Sequence, residues 1–317
     1  MTKAKQQPDT ETTAELLGAI DIGSNSIRMV IGQLLPDGTI EVLEKAQQPV
    51  RLGQDAFRRS HLERVTMQAA VSILREFKRR LESYGVAHIW TVATSAVRES
   101  RNADVFVDRV LMATGLDVNI IDGPLEGRLT VSALRSVLNA DPPSIGAHTL
   151  ITEVGGGSTM LTVLENGEIE FSQSLGLGSI RLQEVLGTMG LPSLQVMDLM
   201  RNEINSVLSS VQSVMSLKEI KTFFAVGADA RFAASRIGRP MKNPAFTAIR
   251  RKEFDQLVDD IKGLTIEQIV ADYDLPYAEA ETLLPALMVY QELLHATKAA
   301  DMFVSSVTMR DGLLLEL

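Results

Sequence analysis

The chain contains no cysteine among its 317 residues. This absence excludes disulfide bonds, zinc sites built on thiolates, iron–sulfur ligation and a cysteine nucleophile. The histidines are few and have no metal-site spacing; they are His61, His88, His148 and His295. A chain that needs no oxidising compartment is expected to be cytoplasmic.

Long apolar runs are also absent. Residues 1–14 lack the apolar stretch of a secretion signal, and no later segment reaches the roughly twenty apolar residues that cross a bilayer. We therefore expect a disordered tail over residues 1–14 and no membrane partner. With 31 Lys and Arg against 40 Asp and Glu, the net charge is -9, which argues against nucleic acid as a partner.

What is present is ordinary globular composition, 45% apolar and 22% charged, at a length that favours two domains. Apolar periodicity predicts helices that alternate with strands, and this alternation is typical of α/β sheets covered by helices. Ser60 is expected to cap a helix that runs to Tyr84. Further predictions are strands at 88–93, 118–121 and 222–226, helices at 104–114, 126–138 and 193–215, three helices between 252 and 298, and a C-terminal strand (302–307) and helix (309–317).

One unit occurs twice in the sequence. Residues 18–34, GAIDIGSNSIRMVIGQL, predict a strand ending at Asp21, a tight turn and a second strand. Residues 150–164, LITEVGGGSTMLTVL, repeat this pattern with Glu153 in the place of Asp21. The copies lie about 130 residues apart, which indicates a duplicated domain because solenoid repeats are only roughly 20–50 residues long.

Each copy follows its carboxylate with glycines and hydroxyl-bearing residues. Glycine lets the backbone approach a ligand closely, and amide and hydroxyl groups can then bind phosphate. A single copy is more often an ordinary hairpin turn, but two matched copies favour two facing phosphate cradles. Asp21 and Glu153 would then converge on one Mg²⁺, with Mn²⁺ as an alternative ion.

Duplicated glycine-rich hairpins with paired acids resemble the superfamily of actin, sugar kinases and heat-shock chaperone ATPases. Within it, five segments resemble the exopolyphosphatase and guanosine pentaphosphate phosphatase family in order and spacing. They are AIDIGSNS from Ala19, ATSAVRESRN from Ala93, IDGPLEGRL from Ile121, GGGST from Gly155 and LGSIRL from Leu177. The resemblance covers residues 18–317 and is that of the short family form with two domains.

The resemblance implies an α/β fold of two actin-like, ribonuclease H-like domains with a cleft between them. Domain I would comprise residues 15–124 with residues 306–317 returning to it, and domain II residues 125–305. The implied activity is hydrolysis of the terminal phosphoanhydride of inorganic polyphosphate or guanosine pentaphosphate with Mg²⁺. The sequence leaves the choice between these substrates open, and a homodimer remains open as well.

The resemblance also implies roles for individual residues. Glu126 matches the catalytic glutamate that would orient and deprotonate water, although alone it would be an ordinary first-turn glutamate. Arg98 matches an arginine that contacts phosphate. The implied phosphate-binding residues are Gly23, Ser24, Asn25, Ser26, Thr94, Ser95, Gly155, Gly156, Gly157, Ser158, Thr159, Gly178, Ser179 and Gly227.

Three positions depart from the family pattern. Glu153 stands where the family has aspartate, and Leu125 replaces the first of two paired glutamates. In the third loop, Asp229 stands where the family's Gly-Gly-Thr-Ala-Arg has threonine. A catalytically weakened sensor of polyphosphate or nucleotide is therefore the alternative function. A sugar kinase is disfavoured because the third loop is poorly suited to a nucleotide.

Overall fold

The structure is a computed structural model that describes residues 15–138, 143–187 and 194–317. The expected N-terminal tail, the predicted helix start at Ser193 and residues 139–142 of the predicted linker lie outside these residues.

The first domain is built on a five-stranded sheet with the strand order β3-β2-β1-β4-β5. Its strands are β1 (Glu15–Ile22), β2 (Ser26–Leu34), β3 (Ile40–Pro49), β4 (His88–Ala93) and β5 (Val118–Ile120). The first three are antiparallel, whereas β4 and β5 run parallel to β1. The helices are α1 (Leu52–Arg59), α2 (Arg64–Tyr84), α3 (Ser95–Arg98) and α4 (Ala103–Thr114). The stripe Ala70, Leu74, Phe77 and Leu81 of α2 is buried in the core, as its spacing predicts.

The second domain is built on a seven-stranded sheet with the strand order β10-β11-β12-β9-β6-β7-β8. Its strands are β6 (His148–Val154), β7 (Thr159–Glu165), β8 (Glu168–Leu175), β9 (Thr222–Val226), β10 (Arg239–Pro240), β11 (Phe246–Arg250) and β12 (Asp301–Ser305). Its helices are α6 (Ser179–Leu186), α7 (Leu194–Gln212), α8 (Ala228–Ile237), α9 (Arg251–Lys262), α10 (Ile266–Tyr273) and α11 (Tyr277–His295). Helix α11, which is apolar from Leu283 to Tyr290, is largely buried in this domain's core.

The two sheets repeat one topology, which agrees with the predicted duplication. The order β8-β7-β6-β9-β12 matches β3-β2-β1-β4-β5 strand for strand. Both hairpin turns close in the same way, with Gly23 N donating to Ser26 O at 3.1 Å and Gly155 N to Ser158 O at 2.9 Å. The register also shifts at matching points, after Ile31 in β2 and after Val163 in β7.

Two helices connect the domains. After β5, helix α5 (Gly123–Val137) crosses to the second sheet, where Gly127 lies against Thr162 and Ser172. After β12, helix α12 (Met309–Leu315) crosses back, and Leu313 packs in the apolar cluster of β1 and β2. The two helices also contact each other. Since α5 touches both sheets, the chain position of the domain boundary stays a prediction.

Helix starts differ from the predicted ones. Ser60 does not begin α2: it is the C-cap of α1 in the left-handed conformation, φ 51°, and α2 begins at Arg64. Helix α5 begins at Gly123, before the predicted start at residue 126, because Asp122 Oδ1 accepts a hydrogen bond from Leu125 N and Pro124 suits the first turn. Of the helices in the described ranges, none is long and apolar enough to span a membrane.

Candidate active site

The two hairpin turns meet across the cleft between the domains. Ser24 Oγ of the first turn lies 3.1 Å from Ser95 Oγ at the start of α3. A Cβ atom on Gly157 of the second turn would lie 2.5 Å from Ser24 Oγ and 2.3 Å from Ser95 Oγ. Only glycine at position 157 therefore allows the turns to approach this closely.

Most of the predicted site residues line a cavity between the turns. This cavity encloses about 530 Å³, open solvent included. Its predicted members are Asp21, Gly23, Ser24, Asn25, Thr94, Ser95, Glu126, Glu153, Gly155, Gly156, Gly157 and Ser158. An adjoining cavity of about 850 Å³ shares Asn25, Arg28, Glu153, Gly155 and Gly156 with it. There the predicted residues Ser26, Ser179 and Gly227 lie beside Asp229.

Two residues predicted to bind phosphate lie against the second turn and outside both cavities. Thr159 is fully buried, and its Oγ1 donates to Leu177 O at 2.8 Å. Gly178 packs its backbone directly on the turn, so that an added Cβ would lie 2.2 Å from the carbonyl carbon of Gly157. Neither residue lines either cavity. Their place in the motif reflects how the turn is packed.

The predicted catalytic pair is brought together in the structure. Glu126 lies in the first turn of α5, and Arg98 Nη1 at the end of α3 donates to Glu126 Oε1 at 2.8 Å. Arg98 also donates to Ile121 O, which orients the guanidinium. Burial raises the pKa of Glu126 to about 7, although Arg98 acts to lower it. A carboxyl group with this pKa can hold or release a proton near neutral pH.

Asp21 is held by two arginines that the motif reasoning missed. Arg28 Nη1 and Arg310 Nη1 each lie 3.3 Å from Asp21 Oδ2, and the carboxylate is buried. Arg28 is the register partner of Asp21 across the hairpin, so counting along the predicted turn could have found it. No sequence pattern near Asp21 indicates Arg310, because Arg310 lies on α12 at the other end of the chain.

Glu153 occupies the equivalent place in the second hairpin. Thr130 Oγ1 donates to Glu153 Oε2 at 3.2 Å. Burial raises the pKa of Glu153, and the charge of Asp21 raises it further. Mutual repulsion between these two carboxylates is the electrostatic condition that a divalent cation relieves.

The donor set is sparse for a metal. No group of three or more His, Cys, Asp or Glu side chains that could enclose an ion occurs within the described part of the chain. Mg²⁺, however, keeps several waters and commonly takes one or two carboxylates together with substrate phosphates. Asp21 and Glu153 line one cavity and fit this pattern.

The third loop brings an acidic residue into the adjoining cavity. Gly227 has φ 131°, and a Cβ there would lie 2.9 Å from Tyr290 Oη. That hydroxyl accepts from Val154 N at 3.1 Å and donates to Val226 O, so it ties β6 to β9. Asp229 follows in the first turn of α8, and burial raises its pKa to about 7. One guanidinium nitrogen of Arg231, Nη1, is buried there without a hydrogen-bond partner.

Leu125, the second departure from the family pattern, does not line the cavity. Its side chain packs against the apolar cluster that contains Leu17, Val30 and Met309. Leucine at this position therefore serves packing between α5 and the first sheet and leaves Glu126 in place.

Two sheets of one topology, with a cleft lined by their equivalent turns, define a two-domain protein of the actin-like fold. The chain belongs to the Ppx/GppA phosphatase family, whose profile matches residues 26–317. The resemblance seen in the sequence is thereby confirmed.

Solved structures share this fold over nearly the whole chain. An exopolyphosphatase from Cytophaga hutchinsonii matches with a TM-score of 0.86 and 21% identity, covering 95% of this chain and 98% of that one. The Ppx/GppA family member from Aquifex aeolicus matches with a TM-score of 0.77 and 22% identity, covering 95% and 97%.

Two curated relatives are similar over part of their length. A bifunctional 3-dehydroquinate synthase/phosphatase from Fusobacterium nucleatum is 29% identical over 175 residues, which are 53% of this chain and 26% of the relative. A guanosine-5'-triphosphate,3'-diphosphate pyrophosphatase from Aliivibrio fischeri is 27% identical over 171 residues, 54% of this chain and 33% of the relative. The match thus spans about a quarter of the length of the first relative and about a third of the length of the second.

Proposed function

We propose that this protein is a Mg²⁺-dependent phosphohydrolase that removes the terminal phosphate from linear polyphosphate, with guanosine pentaphosphate as a second substrate. The observation that carries the proposal is Glu126, a carboxyl group with a pKa of about 7 that lines the cavity between the two turns and is oriented by Arg98. The names of the Cytophaga and Aliivibrio proteins support the two substrates in turn.

The reaction follows from this arrangement. The terminal phosphate binds between the turn at Gly23–Asn25 and the turn at Gly155–Ser158, whose glycines and serines line the cavity. Glu126 takes a proton from a water molecule whose oxygen attacks the terminal phosphorus. The bond from that phosphorus to the bridging oxygen breaks, and the products are phosphate and a chain shorter by one phosphate. Arg98 balances negative charge beside the reacting oxygens.

We further propose that Asp21 and Glu153 hold the Mg²⁺, with Mn²⁺ as a substitute. The ion would supply positive charge at the phosphate oxygens. Two arginines share Asp21, so the ion must compete with Arg28 and Arg310 for that carboxylate. Phosphate oxygens, which can accept from the same guanidiniums, would relieve this competition when substrate binds.

The test measures phosphate release from long-chain polyphosphate and from guanosine pentaphosphate with Mg²⁺. Glu126→Gln should lower the rate at least about 100-fold, because glutamine keeps the shape and loses the base. The wild-type rate should rise as the pH passes through about 7, where Glu126 ionises. Glu165→Gln, at the exposed end of β7, is the control. Equal release by wild type and Glu126→Gln would contradict this role for Glu126.

The second candidate is a sensor that binds the same ligands without hydrolysing them. One observation favours it: two guanidiniums already occupy Asp21, one of the two carboxylates proposed to hold the ion. Tight binding of polyphosphate or guanosine pentaphosphate, with no phosphate release by wild type, would establish the sensor and reject the hydrolase.

A further inference from the structure

Arg181 makes contacts on both sides of the cleft. Its Nε donates to Gly157 O at 2.6 Å, and its Nη2 donates to Glu99 Oε1, also at 2.6 Å. Its guanidinium carbon lies 4.1 Å from the centre of the Phe57 ring. The side chain is largely buried, at 17% exposure. One side chain thus combines a backbone hydrogen bond, an ion pair and a cation–π contact.

The partners of Arg181 belong to different domains. Gly157 lies in the turn of the second domain, whereas Phe57 lies on α1 and Glu99 directly follows α3 in the first. Glu99 is also the neighbour of Arg98, which holds Glu126. A continuous path of contacts therefore runs from the second turn through Arg181 to the pair formed by Arg98 and Glu126.

The helices that carry these residues also support the two turns. Gly53 N of α1 donates to Ser24 O at 2.8 Å, and Ser179 N of α6 donates to Gly155 O at 3.0 Å. Each helix is thus fixed to the turn of its own domain. A link between α1 and α6 consequently sets how far apart the two turns lie.

We propose that Arg181 is a positioning residue that clamps the two domains and holds the pair of Arg98 and Glu126 against the second turn. The planar guanidinium reaches two acceptors and stacks on a ring at once, which the single ammonium of lysine does not. Loss of the clamp widens the cleft and separates Glu126 from phosphate bound at the second turn. The catalytic part of this proposal rests on the proposed hydrolase function, and the clamp itself does not.

The absence of cysteine makes the clamp directly measurable. Arg109→Cys on α4 and Ser213→Cys after α7 place two spin labels on exposed positions of the two domains. We expect one narrow distance distribution with Arg181 present, and a longer, broader one after Arg181→Lys. The matched control is Arg236→Lys, because Arg236 likewise bonds a backbone carbonyl and stacks on aromatic rings, but within the second domain.

The second test of the proposal measures the steady-state kinetics of the variants. Arg181→Lys should lower kcat for polyphosphate about tenfold, since a small misplacement of reacting groups is costly, with a smaller change in KM. Glu99→Gln should lower kcat to a similar extent. The fold-reduction in kcat of the double variant should be smaller than the product of the two single fold-reductions. Unchanged distances in Arg181→Lys, or equal changes in Arg236→Lys, would overturn the clamp. If the wild type releases no phosphate, the proposed hydrolase function fails, and the distance measurement still decides the clamp.

Discussion

Glu126 should make the stability of the protein depend on pH. Its pKa is about 7 in the folded protein and near 4.5 in an unfolded chain, so the folded state binds the proton more tightly. The free energy of unfolding then falls as the pH rises from about 4.5 to 7. Glu126→Gln removes this slope. We expect the free energy of unfolding of the variant to exceed that of wild type by roughly 1–3 kcal/mol at pH 8 and to equal it at pH 4.5.

Urea unfolding at the two pH values measures this difference. If Glu126→Gln changed the free energy of unfolding equally at both pH values, Glu126 would ionise as an ordinary surface carboxyl group. Its assignment as the base would then lose its main support.

At position 153, the presence of a carboxylate should matter more than the length of the side chain that carries it. We expect Glu153→Ala to abolish Mg²⁺-dependent phosphate release, because one of the two carboxylates proposed for the ion is lost. Glu153→Asp should retain or raise the rate, since it shortens the side chain to the length that the family has. Rates titrated with Mg²⁺ and Mn²⁺ measure both effects. Thr130→Val, which removes the hydroxyl that bonds Glu153 Oε2 and Glu126 O but keeps both carboxylates, is the control. Full activity in Glu153→Ala would reduce this residue to a turn former.

Asp229 should oppose the approach of a polyanion. We expect Asp229→Thr to lower the KM for polyphosphate several-fold at low salt, where charge is least screened. Because burial raises the pKa of Asp229 to about 7, the carboxyl is mostly neutral at pH 6 and mostly charged at pH 8. The effect should therefore be larger at pH 8. Asp198→Thr, on the exposed face of α7, is the comparison variant. A KM that rises in Asp229→Thr would show that this carboxylate contributes to binding.

The site residues that the sequence could supply are those that lie within one motif. Both turns follow from local patterns, Glu126 and Arg98 follow from the family motifs that they match, and the structure brings them together. Arg310 could not be found in this way because 289 residues separate it from Asp21, and the ion pair exists only once α12 returns to the first domain. Patterns along the chain do not encode contacts that depend on topology.

At the scale of elements, the contact between α5 and α12 leaves no space for an added methyl group. A Cβ on Gly312 would lie 2.1 Å from Leu129 O, a backbone atom that cannot rotate away. We expect Gly312→Ala to destabilise the protein by about 2–4 kcal/mol. Gly263→Ala, at the end of α9 with nothing within 4 Å, is the matched control and should change stability little. Equal unfolding midpoints for the two variants would contradict this packing.

Short elements were the least predictable from sequence. Helices α3 and α6 have 4 and 8 residues, too few for apolar periodicity to be recognised. The long helices α2 and α11 have 21 and 19 residues, and both were predicted. Ser60 was misread because serine suits helix N-caps in general, whereas here its backbone conformation closes the preceding helix.

At the scale of the molecule, duplication made the fold predictable. A repeated hairpin implies a repeated sheet, so the strand order of one sheet predicts that of the other. The two strands β10 and β11, which extend the second sheet at one edge, have no counterpart in the first and therefore escaped prediction. β11 pairs with β12, the strand that precedes the return of the chain to the first domain, and β10 pairs with β11.

The crossing of α5 and α12 also has a consequence for how the protein folds. Helices α12 and α5 cover one face of the first sheet together, and α5 also covers one face of the second sheet. One helix therefore contributes to the apolar clusters of both domains, and the first domain needs residues from the far end of the chain. The two domains should therefore gain their final stability in one cooperative step, and a cut between them should cost both halves their native core.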